Sequence, residues 1–231
     1  MLRLTSVACL LLLLCACNTV APRLDVYDGL LPAGYQMKDA PGPIRTDALK
    51  GKTVVLVTST NFNNYTTEWQ NYHEKGGEQK FRQTLIGAVA AMVTPDDGGA
   101  NRIRQASDPR NVVDRVYSTL RPYFSSVKAA ADFAEAKDLK ADYIALIDFY
   151  GTFNEMGDKF RTSGGLYMLD GSLQRVFQVE GKAEVEREDG GFFGGTSGVI
   201  EGTARTYAKG LNITTDQILT GVRAKLGPAK R

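Results

Sequence analysis

Cysteine is almost missing from this chain: the three present stand at Cys9, Cys15 and Cys17, and nothing after Cys17 carries a thiol. A mature chain that starts at Cys17 with that sulfur modified can form no disulfide, so its stability has to come from a packed core. Histidine is reduced to His73, which excludes a histidine-rich metal cluster and leaves one imidazole for any Ser-His-Asp triad. No serine sits in a nucleophile-elbow sequence. A basic block is also lacking, because 28 Lys and Arg against 26 Asp and Glu leave a net charge of +2 spread along the sequence. That speaks against a nucleic-acid partner. There is no internal repeat and no second long apolar run. "DGGFFGGTSG", Asp189 to Gly198, is rich in glycine, yet no lysine follows its last glycine; nucleotide binding is rejected on that ground.

What is present begins at the N-terminus. Arg3, an apolar stretch from Val7 to Leu14 and then small residues give the layout of a secretory signal, too short to span a bilayer, which takes roughly 20 apolar residues. Leu14, Cys15, Ala16 and Cys17 resemble a bacterial lipobox, with Cys17 as the lipidated residue and residues 1–16 as the cleaved signal. The resemblance implies acyl chains on Cys17. At about 0.8 kcal/mol per buried methylene, two or three chains anchor stably where one does not. Asn18 follows where such lipoproteins carry an aspartate for inner-membrane retention, which implies the outer membrane, periplasmic face.

About 215 residues remain, enough for one domain and a tether. Residues 17–50 carry Pro22, Pro32, Pro41 and Pro43 with little periodicity and read as the tether. Residues 51–231 form the domain. "KTVVLVTS", Lys52 to Ser59, and "ADYIALIDFYGTF", Ala141 to Phe153, are apolar on both faces and predict two central strands. Phe81 to Val93 has helical spacing, Ile103 suits a short strand, and Ser107 or Asp108 with Pro109 opens a helix buried through Val112, Val113, Val116 and Leu120. A strand at Ser125–Ala129 and a brief helix around Phe133 follow. Alternation from Leu173 to Glu186, broken at Arg175 and Val176, predicts an antiparallel strand, and Asp170-Gly171 predicts a two-residue hairpin turn before it. Two closing helices are expected. The first ends at Gly210; the second is capped by Thr214 with Gln217 and ends at Gly227-Pro228. The fold class is α/β (α+β), a mixed sheet with two central strands, helices packed on it and an antiparallel C-terminal hairpin.

Ala141, Asp142, Tyr143 and Ile144, a helix-to-strand step, together with the Asp-Gly hairpin of amphipathic strands, carry a resemblance over Lys52 to Val185. The chain resembles a group of envelope proteins comprising the curli-secretion lipoprotein, the N-terminal domain of the Tol-system β-propeller protein and the outer-membrane lipoproteins that activate peptidoglycan synthases. It departs from them in the residues after the hairpin aspartate, in Gly181 and in a long insert after the first strand. A shared fold does not transfer function.

Candidate binding residues are Phe62, Tyr65, Trp69, Tyr72 and His73, in a segment from Thr60 to Gly77 read as a long loop beyond the first central strand, where aromatics beside amides suit sugar or peptide recognition. Phe192 and Phe193 are a second candidate contact. Asp148, acidic on an apolar strand, is expected to be bonded to backbone or arginine rather than catalytic. The expected function is a lipid-anchored, periplasm-facing, non-enzymatic binding or assembly factor with no cofactor and no metal. Its expected partners are the membrane, through the lipid, and an envelope protein or peptidoglycan. A secretion-channel subunit and an envelope hydrolase are the alternatives.

Overall fold

The computed structural model describes residues 38–39, 49, 51–73, 105–154, 157–188 and 195–228. The signal, Cys17, most of the tether, the expected helix over Phe81–Val93, Ile103, Phe192 and Phe193 lie outside them. Described elements run β1 (Lys38–Asp39), β2 (Thr53–Thr58), α1 (Thr60–His73), α2 (Arg110–Leu120), β3 (Ser126–Ala129), α3 (Phe133–Asp138), β4 (Tyr143–Phe153), β5 (Lys159–Asp170), β6 (Gln174–Glu186) and α4 (Gly195–Leu226). The strands make one sheet in the order β1-β6-β5-β4-β2-β3. β2 lies parallel between β3 and β4, whereas β4, β5 and β6 form an antiparallel meander. The mixed α/β sheet with central strands and an antiparallel hairpin is therefore present as expected.

Burial explains the placement. Val54 to Val57 and Ile144 to Phe149 are buried without a break, so neither strand could sit where one face meets water. One face of the sheet offers Val54, Leu56, Ala145, Ile147, Phe149, Leu166, Met168, Phe177 and Val179 to α1, α2 and α4. The other offers Val55, Val57, Ile144, Leu146, Tyr167 and Leu169 to the short α3, through Phe133 and Ala136. Among the described residues, three helices thus cover one face and one six-residue helix covers part of the other.

Three expectations need correction. Leu49, placed in the tether, is buried in the core, and Lys38–Asp39 pairs with Gln174 and Arg175 at the sheet edge, so the fold begins before residue 51. The hairpin loop has three residues, Gly171 to Leu173, because Leu173 takes a positive φ of 64°, as in loops where a type I turn is followed by a left-handed residue. Asp170 holds it by accepting from the Ser172 and Gln174 N–H groups at 2.8 and 2.9 Å. The register shifts where Met168 faces Phe177 and Leu169 faces Arg175; this bulge is the physical reason alternation fails at Arg175 and Val176.

The third correction is α4, one helix of 32 residues in place of two. Gly210 does not end it. A β-carbon there would stand 2.8 Å from the Phe160 ring, so glycine admits the helix to the sheet. Thr214 is not a cap either: its hydroxyl bonds Thr162 in the core, and Gln217 accepts from the Lys182 N–H at 2.8 Å. Gly227, at φ +70°, terminates the helix as expected. Among the described residues no helix is long and apolar enough to cross a membrane.

Candidate functional site

The segment after β2 is a helix and not a loop. Ser59 opens α1 by accepting the Phe62 N–H at 3.0 Å, an N-cap bond. Phe62, Tyr65 and Trp69 recur at helical spacing and are 2%, 2% and 5% exposed. Tyr65 stacks on Tyr207 with ring centroids 6.0 Å apart, and the Arg110 guanidinium lies 5.7 Å from the Trp69 ring, joining α1 to α2. These three aromatics are core, and truncating Trp69 would remove packing rather than a surface anchor. Tyr72 and His73 fall in the last turn of α1, and their side chains lie outside the described residues.

The first turn of α1 meets Asp148 on β4. The Ser59 hydroxyl donates to Asp148 Oδ1, and the Asn61 side chain and Phe149 N–H also bond the carboxyl. No arginine takes part. Burial pushes the Asp148 pKa up, and these three bonds pull against it. Asn61 Oδ1 is itself buried without a hydrogen-bond partner.

Asp148 stands at the margin of a groove of about 600 Å³ on the α3 side of the sheet, which among the described residues α3 covers only in part. Strand register builds it in rows. Asp148, Gly165 and Glu180 lie side by side across β4, β5 and β6, then Tyr150, Ser163 and Lys182, then Thr152, Arg161 and Glu184. β5 forms the floor, where the outer edge of the Tyr167 ring folds over Gly165, 3.0 Å from where a β-carbon would stand. At one end Glu184 accepts from Arg161 Nε at 2.6 Å and from Lys159 Nζ at 3.2 Å, so its carboxylate is paired with two cations and its pKa is lowered. Glu180 accepts from Gln178 Nε2 at 3.1 Å. The hydroxyls of Tyr150 and Ser163 and the Lys182 ammonium have no partner among the described residues. No cluster of three or more metal-ligating side chains occurs among the described residues.

None of the groove residues except Asp148 stood out in the sequence. Their signal was the polar half of the β6 alternation, which by itself reads as a wet face; only the pairing of three strands brings Tyr150, Ser163 and Lys182 into one row.

No protein-family model matches the chain, and no curated protein matches it. Among solved structures, the PelC dodecamer from Paraburkholderia phytofirmans is similar over 82% of this chain and 96% of that one, at 13% sequence identity and a TM-score of 0.30. A likeness at that level assigns no function to this chain.

Proposed function

We propose that the protein is a lipid-anchored, periplasm-facing accessory factor of the bacterial outer membrane that binds or assembles a partner without catalysis. The observation that carries the binding half is the open groove on the β4–β5–β6 face, with hydrogen-bonding side chains of both kinds facing outward from a rigid, fully laddered floor. Sites on rigid elements hold their geometry without ordering costs. The anchoring half rests on the Leu14 to Cys17 sequence with Asn18 after it.

The test has two arms. Cys17→Ala should abolish acyl labelling and leave unprocessed precursor, and normal labelling would remove the anchor from the reading. Crosslinking in whole envelopes should recover a defined partner with the wild-type chain and much less of it with Lys182→Glu, which reverses charge in the groove. Equal recovery by both would move binding to another surface.

A further inference from the structure

The groove has a chemistry narrower than binding in general. It lies on a face of the sheet and not at an edge, so the backbone N–H and C=O groups of its floor are engaged in the β4–β5 and β5–β6 ladders. Any ligand must be recognised by side chains alone. A peptide laid along β5 would bring its own N–H and C=O groups to a surface with no main chain to pair them, unlike strand addition at an edge. The side chains are also mixed. Lys182 donates only, the Glu180 carboxylate accepts only, and the Tyr150 and Ser163 hydroxyls do both. Along β6 the wall alternates Glu180, Lys182 and Glu184, the last already paired to Arg161 and Lys159, so neither a polyanion nor a polycation finds a field of one sign.

We propose that this groove binds an uncharged glycan chain, several sugar units lying along β5. Each sugar hydroxyl both donates and accepts, which matches a row such as Tyr150, Ser163 and Lys182 without a net charge. Gly165 raises no side chain between the walls and the Tyr167 ring beside it is only 3% exposed, so the floor is low enough for a flat sugar face to lie between Glu180, Tyr150 and Lys182. Arg161 to Tyr167 spans roughly 20 Å at about 3.3 Å per residue, and the walls on β4 and β6 stand about 10 Å apart, the dimensions of an extended chain seated in line with the strand. This deepens the binding reading above and rests on it.

The experiment uses the full lipidated protein in detergent micelles, titrated calorimetrically with chitohexaose, cellohexaose, an oligogalacturonate and a mixed-charge hexapeptide. At least one of the two uncharged hexasaccharides should bind saturably, and more tightly than the acidic oligomer or the peptide. Ser163→Phe, which fills the floor from an exposed position, and Lys182→Met should each weaken that binding tenfold or more, while Lys128→Ala, exposed on β3, should leave it unchanged. Thermal midpoints of all three variants should match the wild type. Failure of both hexasaccharides, equal binding by Ser163→Phe, or preference for the peptide would overturn the proposal. Crosslinking the Ser163→Phe protein in envelopes separates this failure from that of the broader reading. With no sugar bound by the wild type, unchanged partner recovery removes the glycan and keeps a binding protein that uses another surface, and lost recovery gives the groove to a protein partner.

Discussion

Two aspartates set opposite pH dependences. Asp142 accepts from Lys52 Nζ at 2.9 Å, from the Thr53 N–H at 2.8 Å and from the Thr53 hydroxyl at 3.0 Å, which lowers its pKa to about 2. A depressed carboxylate contributes stability that is complete above its unfolded value of 3.8 and is lost as pH falls through about 2. Asp148 is the reverse. Burial raises its pKa above 3.8, so the folded protein takes up the proton first, and acidification from neutral toward 3.8 adds stability from this group. Asp148→Asn should remove the cost of the buried charge and place an amide donor within reach of the unbonded Asn61 Oδ1. The expected outcome is a melting temperature at pH 8 at or above wild type, with the gain between pH 8 and about pH 4 gone, read by thermal melts across that range. A variant that melts lower at pH 8 and still gains on acidification would show that the carboxylate charge supports the first turn of α1.

At the scale of elements, the long helix α4 is held by close approach. A β-carbon on Gly181 would stand 2.4 Å from the Thr214 carbonyl oxygen, a backbone atom that cannot turn aside, and one on Gly221 would meet Val179 Cγ1 at 2.1 Å. Gly181→Ala should therefore lift α4 off β6 and destabilise by roughly 1–3 kcal/mol, the usual cost of overpacking, seen as a lower urea midpoint. An unchanged midpoint would mean that the helix slides freely on the sheet. The same contacts explain what the sequence concealed. β2 and β4 were legible because burial on both faces writes an unbroken apolar run, and α2 because Val112, Val116 and Leu120 repeat at helical spacing. α1 was misread as a loop because Asn61, Asn63, Asn64, Thr66 and Thr67 are poor helix formers, although Phe62, Tyr65 and Trp69 already stood at i, i+3 and i+7. Gly210 was misread as a stop because a glycine that ends a helix and one that admits a neighbouring ring look alike until the packing is known.

For the whole molecule, the β5–β6 hairpin separates an anchored globular domain from a channel subunit. Its strands of 12 and 13 residues are long enough for a membrane barrel, which needs about 9–11, so length decides nothing. The faces do. Phe177, Val179 and Val185 are buried, with Phe177 and Val179 in the cluster that also holds Ile218, Leu219 and Val222 of α4. Gln178 and the exposed Glu180 and Lys182 are on the other side of the strand. Lipid could reach the apolar side only if α4 left it, and that would break the Thr162–Thr214 and Lys182–Gln217 bonds along with the core. The chain from Arg23 onward is therefore expected to purify without detergent as a monomer that unfolds in one cooperative urea transition. Light scattering behind a sizing column measures the first property and the urea profile the second. Persistent detergent dependence, or assembly into rings, would require that α4 be displaced or that sheet edges pair between copies, and the channel reading would then replace the anchored one.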